Sequence, residues 1–167
     1  MQKANKSRSR RMKPSAMPAS QRPRSSDFFL TWESYVARYF ERKRVAADGI
    51  PELELRKAET KLGVQLPRSL RTLYLAIGAV RQLCSIHNVI LGPKGLIIED
   101  GYLLFMEENQ SVVSWGMKVS SLAIDNPRVW QRNNSSGVWY PEDKTLTELL
   151  GSMFAWYEQL GVWNPSG

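Results

Sequence analysis

The sequence predicts an α+β domain: helices first, then largely antiparallel strands, then one closing helix. Three observations carry this expectation. Apolar residues recur every three or four positions over 27–44 and again over 145–161. Between them lie short apolar runs separated by turn signals, the strongest being Asp100-Gly101. The charge is also divided unevenly along the chain. Residues 1–26 hold eight of the 23 basic residues and no acid, which leaves 15 basic and 16 acidic residues in 27–167. The net charge of +7 therefore belongs to the tail, and the body stands at −1.

The chain divides on this reading into a basic tail, 1–26, and a single domain, 27–162. The tail lacks Leu, Ile, Val, Phe, Trp and Tyr. It cannot bury enough apolar surface to offset an ordering cost of about 1–2 kcal/mol per residue, so disorder is expected there. It could act as a salt-sensitive arm on nucleic acid or a membrane surface. A solubilising tail, a start at Met12 or Met17, or a targeting peptide without an apolar face remain alternatives. No apolar run approaches the 18 or so residues of a membrane span, and no apolar core follows the basic start as in a secretory signal. Cys84 is the single cysteine, which excludes an intrachain disulfide and a Cys-rich zinc site. With His87 as the single histidine, a Ser-His triad and His-rich metal sites are poorly supplied. These features together lead us to expect a cytoplasmic protein with no membrane span and no cofactor.

The first helix is expected over 27–44. Phe28, Trp32, Tyr35, Val36, Tyr39 and Phe40 form one stripe, and Arg42, Lys43 and Arg44 fall in its last turn, where cations oppose the dipole. A second helix begins near Pro51, has Leu55, Ala58 and Leu62 as its apolar edge, and stops at Gly63. A third starts at Pro67, buries Leu70, Leu73, Tyr74 and Ile77, and ends at Gly78. Strands follow: 89–91, then 96–99 and 102–106 around Asp100-Gly101, then 111–115, forming a meander. Alternation places Leu103 and Phe105 on one face of the third strand and Leu104 and Met106 on the other, so both faces should be covered. A later hairpin pairs 129–132 with 138–140. Thr145 and Glu148 have capping-box spacing at the head of the last helix. Its stripe is Leu146, Leu149, Leu150, Met153, Tyr157 and Leu160, widened by Phe154 and Trp156.

Catalytic chemistry is offered only thinly. Glu99-Asp100 and Glu107-Glu108 are adjacent acids, and adjacent strand residues point to opposite faces rather than forming a dyad. Cys84 and His87 would need proximity and a third orienting group. Gly92-Pro93-Lys94-Gly95 lacks the length and lysine position of a phosphate loop. No catalytic residue, metal ligand or cofactor-binding residue is assigned. Trp32 and Trp156 are expected in the core. Trp115, Trp130 and Trp139 are expected mainly to pack, with some able to face a partner.

Residues 59–78, ETKLGVQLPRSLRTLYLAIG, resemble the opening helices of the SUKH superfamily through Leu62, Gly63, Leu66, Pro67, Tyr74 and Gly78. This superfamily includes fungal cell-wall assembly regulators and many bacterial immunity proteins. The stretch YLLFMEENQSVVSWG is similar to the family's strand, Glu-Asn-Gln loop and Trp-Gly strand end, through Phe105, Glu108, Asn109, Gln110, Val112, Trp115 and Gly116. Asp125, Pro127 and Val129 match its Asp-x-Pro-x-Val joint, and Trp139 its downstream aromatic position. The resemblance spans about residues 50–160. Ser111 departs from it, standing where glycine is frequent, and so does the basic tail.

The resemblance implies a twisted sheet of about six strands packed with N-terminal helices and a C-terminal helix. It also implies a non-enzymatic protein-binding module, in bacteria an immunity protein that neutralises a cognate polymorphic toxin of nuclease or deaminase class. The exposed acids Glu99, Asp100, Glu107 and Glu108, with Trp130, are the candidate partner contacts, because toxic nucleases present basic clefts. The alternative is a nucleic-acid-associated protein binding through its N-terminal arm. A third reading is an enzyme using Glu107, Glu108 or His87.

Overall fold

The computed structural model describes residues 25–162; residues 1–24 of the basic tail lie outside the described residues, and its last two open the first helix. The first periodic stretch forms α1 (Ser25–Phe40) and buries Phe28, Trp32, Val36 and Tyr39. The helix stops earlier than the stripe predicts, at Phe40, because Glu41 turns the chain with φ 50°. Arg42, Lys43 and Arg44 therefore lie beyond it. Of the three, Arg44 still serves a helix end, though that of another helix. Arg44 donates to the carbonyls of Leu75 and Ala76, each at 2.7 Å, in the last turn of α3 (Arg68–Ile77).

Arg42 holds Asp48 through two 2.8 Å bonds, and Asp48 also accepts the Val45 N–H at 2.8 Å. The Arg42 guanidinium keeps the Asp48 carboxyl below its ordinary range. Just beyond, two backbones cross. Ile50 N–H donates to Tyr74 O at 2.8 Å and Ala79 N–H to Asp48 O at 2.9 Å. Gly78 has φ −61°, so it is not the left-handed stop that a terminal glycine usually supplies. Its lack of a side chain serves the crossing: a Cβ there would lie 2.8 Å from Tyr74 O and 2.9 Å from Ile50 Cδ1.

Helix α2 (Glu52–Leu62) follows Pro51 and ends at Gly63, which has φ 69°. The buried Glu59 fastens α2 to α3, accepting the Leu66 N–H at 3.0 Å and pairing with Arg71 at 2.7 Å. Across this hairpin, Trp32 Nε1 donates to Ser69 O at 3.2 Å and so fixes α1 on α3. A short turn, α4 (Arg81–Cys84), leads into the sheet.

The sheet comprises β1 (Asn88–Ile90), β2 (Ile97–Glu99), β3 (Tyr102–Glu108), β4 (Val113–Lys118), β5 (Arg128–Asn133) and β6 (Trp139–Thr145). All pairings are antiparallel, in the order β1-β3-β4-β5-β6, and β2 pairs with the other half of the β3 side that carries β1. The predicted meander and later hairpin are present. Asp100 and Gly101 have φ 52° and 79°, as their two-residue turn requires. Ser111 takes φ 56°, so the glycine-like loop geometry is kept with a serine.

Strand β3 departs from the predicted alternation. A bulge falls between Leu104 and Met106, so Leu104 pairs with Gly116 while Met106 pairs with Trp115. Phe105 is the extra residue, and Met106 returns to the face of Leu103. Leu103, Phe105 and Met106 all join the helical core, together with Ile90, Met117 and Val129. Helix α5 (Leu146–Gln159) closes that core with Leu146, Leu150, Met153, Phe154 and Tyr157. Glu148 accepts both the N–H and the hydroxyl of Thr145, at 2.8 and 2.7 Å, and the N–H lowers the Glu148 pKa. The apolar stripe of α5 is narrower than predicted. Trp156 is 44% exposed rather than core, and Leu160 is exposed too. The architecture is α+β, with N-terminal helices and a C-terminal helix on a six-stranded antiparallel sheet. Among the described residues no helix is long and apolar enough to cross a membrane.

Candidate functional site: the outer face of the sheet

The strand residues that join the helical core lie on one face of the sheet. On the other face, register aligns three rows. The first is Glu99, Tyr102, Lys118; the second Ile97, Leu104, Gly116, Trp130, Pro141; the third Glu107, Ser114, Arg132, Trp139. Leu104 is 1% exposed yet does not belong to the helical core. This face is covered instead by its own side chains.

The cover is aromatic and cationic. Tyr102 and Trp139 stack at 3.9 Å between centroids with planes 10° apart, and Trp130 meets Tyr102 edge-on at 5.8 Å. Lys118 Nζ lies 4.0 Å from the Trp130 ring centroid, and the Arg132 guanidinium 5.7 Å from that of Trp139. Gly116 makes this packing fit, since a Cβ there would stand 3.0 Å from Trp139 Cη2 and 3.0 Å from Leu103 O. Burial raises the pKa of the Tyr102 hydroxyl.

One ion pair reveals the shape of the face. Arg132 bonds Glu99 at 2.8 Å and reaches Asp100 at 4.0 Å. On a flat sheet Glu99 and Arg132 would stand three strands and four residues apart, about 20 Å. Two side chains cannot bridge that distance, so the sheet must curl towards its outer face. The stack of Tyr102 on Trp139 crosses the same diagonal.

The fold brings together Glu99, Asp100 and Trp130 of the five candidate contacts. Glu107 shares their face, in the row of Arg132. Glu108 lies elsewhere, 3.8 Å from His87 Nε2 and accepting the Val112 N–H at 3.3 Å. His87 also rests edge-on against Trp156, at 5.7 Å. Cys84 does not join His87; its thiol is buried, donates to Ile77 O at 3.5 Å, and has its pKa pushed up to about 12 by burial. Trp115 packs against the helical core and donates to Glu142 at 2.8 Å. No group of three or more His, Cys, Asp or Glu among the described residues could hold a metal ion. The sequence reading missed Tyr102, Lys118 and Arg132. Their i, i+2 spacing from Leu104, Gly116 and Trp130 was the available signal.

No family model, curated protein or solved structure matches this chain.

Proposed function

We propose that the chain is a non-enzymatic, cytoplasmic protein-binding module of the immunity type, which neutralises a cognate toxin domain of nuclease or deaminase class by direct contact. The observation that carries this reading is the outer sheet face. It holds a half-buried Trp130 under Lys118 and against Tyr102, with Glu99 and Asp100 held to the same face by Arg132. Half-buried tryptophans bordered by charge are frequent anchors of protein interfaces. The acids at its rim suit a toxin whose substrate cleft is basic, and such complementarity speeds encounter. The immunity assignment itself comes from the SUKH resemblance of the helical joint and the β3–β4 stretch.

The test is co-expression with the protein encoded beside this chain. Growth rescue and co-purification are expected. Trp130→Ala should weaken binding by about 30-fold or more, as a hot-spot anchor does, while deletion of residues 1–26 leaves it unchanged. Absence of rescue overturns the immunity reading. Binding that is lost with the tail, and lost on raising salt, favours the nucleic-acid arm instead.

A further inference from the structure

Sheet edges are templates for pairing with another chain, and proteins blunt them by identifiable means. Two of the three edge strands here are blunted. Strand β6 carries Pro141, which has no N–H to offer, and Asp143 with φ 54°, which breaks its extended course. Strand β1 is covered at Val89 by an antiparallel bridge from Ser85. Strand β2 has neither device. Ile97 is 43% and Ile98 38% exposed, and Glu99 is exposed as well. Only β3 pairs with it among the described residues.

The register identifies the backbone groups that face outward. Asp100 and Gly101 form a two-residue turn, so Glu99 and Tyr102 are the hydrogen-bonded pair that closes the hairpin. Ile98 and Leu103 are then the next, non-hydrogen-bonded pair. The N–H and C=O of Ile98 therefore point away from β3, towards the open edge. A two-fold axis through Ile98 satisfies them reciprocally, since each Ile98 N–H meets the C=O of the other copy's Ile98. The same axis sets the two Ile98 side chains together and places each Glu99 opposite Ile97, so like charges do not face each other. Glu99 is moreover already paired with Arg132.

We propose that β2 is a homodimerisation edge: two copies of this chain pair antiparallel about Ile98 and join their sheets into one. The strand has three residues, so the dimer is a weak, reversible one whose population depends on concentration.

Cysteine scanning in the full-length chain tests this, because the native Cys84 is buried and does not compete. In a hydrogen-bonded antiparallel pair the facing Cα atoms are about 5.5 Å apart, within disulfide reach. Ile98→Cys should therefore give a covalent dimer under mild oxidation. Ile97→Cys should not, since its two copies would stand about 8 Å apart, beyond that reach. In light scattering after size exclusion, the native chain should move from monomer towards dimer as concentration rises. Ile98→Lys should shift that midpoint at least tenfold, with an unchanged melting temperature showing that the hairpin still folds. A chain that stays monomeric throughout overturns the proposal. So does cross-linking at Ile97 equal to that at Ile98, or a dimer indifferent to Ile98→Lys.

Discussion

The two faces of the sheet are closed by different means. The inner face is covered by the helical layer, into whose core Leu103, Phe105, Met106, Met117 and Val129 pack. The outer face folds its own rings over itself, with Trp139 laid on Gly116, Tyr102 stacked on Trp139, and two cations over the rings. The first solution needs long amphipathic helices. The second needs one residue without a side chain and a curl that brings distant corners together. It also leaves Trp130 partly open, whereas Phe105 on the inner face is fully buried. A face closed by its own side chains keeps material with which to meet a partner.

Substitutions can probe this contrast. Phe105 is fully buried on the inner face, so Phe105→Ala should cost about 3–5 kcal/mol in chemical denaturation. If the loss is below about 1 kcal/mol, the inner face is not the principal core. Gly116→Val on the outer face forces a branched side chain against Trp139 and the Leu103 carbonyl. It should cost about 1–3 kcal/mol by overpacking, with a change in near-UV circular dichroism as the rings separate. A silent Gly116→Val would show that the rings do not need that close approach.

The smallest effect lies off both faces, at the loop that ties α1 to α3. Asp48 has its pKa depressed by Arg42, first through their hydrogen bonds. Its contribution is therefore present above the ordinary aspartate value of 3.8 and fades as pH falls through that value and the lower folded one. Asp48→Asn should cost about 1 kcal/mol at neutral pH, and the gap to the native chain should narrow progressively as pH falls below about 4. A gap that persists unchanged at pH 3 would remove the charge argument.

Much of the element order was legible in the sequence because each element carries a local signal. Asp100-Gly101, Pro51, Gly63 and the Thr145–Glu148 pair act within a few residues of themselves. The misreadings share a different cause, since each depends on residues distant in the chain. Arg44 serves the end of a helix 31 or 32 residues away. Phe105 becomes an extra residue only because β4 pairs past it. Trp156 sits on an apolar stripe that α5 uses only in part. The candidate site was half legible on the same terms. Glu99, Asp100 and Trp130 stand out as exposed acids and a strand aromatic. Their meeting across a diagonal depends on the curl of the sheet, which no local pattern encodes.

Cys84 has a practical consequence for measuring this molecule. Its thiol is enclosed beside the end of α3, and burial disfavours the thiolate. A thiol reagent can reach it only when that part of the chain opens. When reclosing outpaces labelling, the labelling rate reports the free energy of opening; when it does not, the rate reports the opening step itself. The chain thus carries a chemical clock for its helical layer, with no added probe.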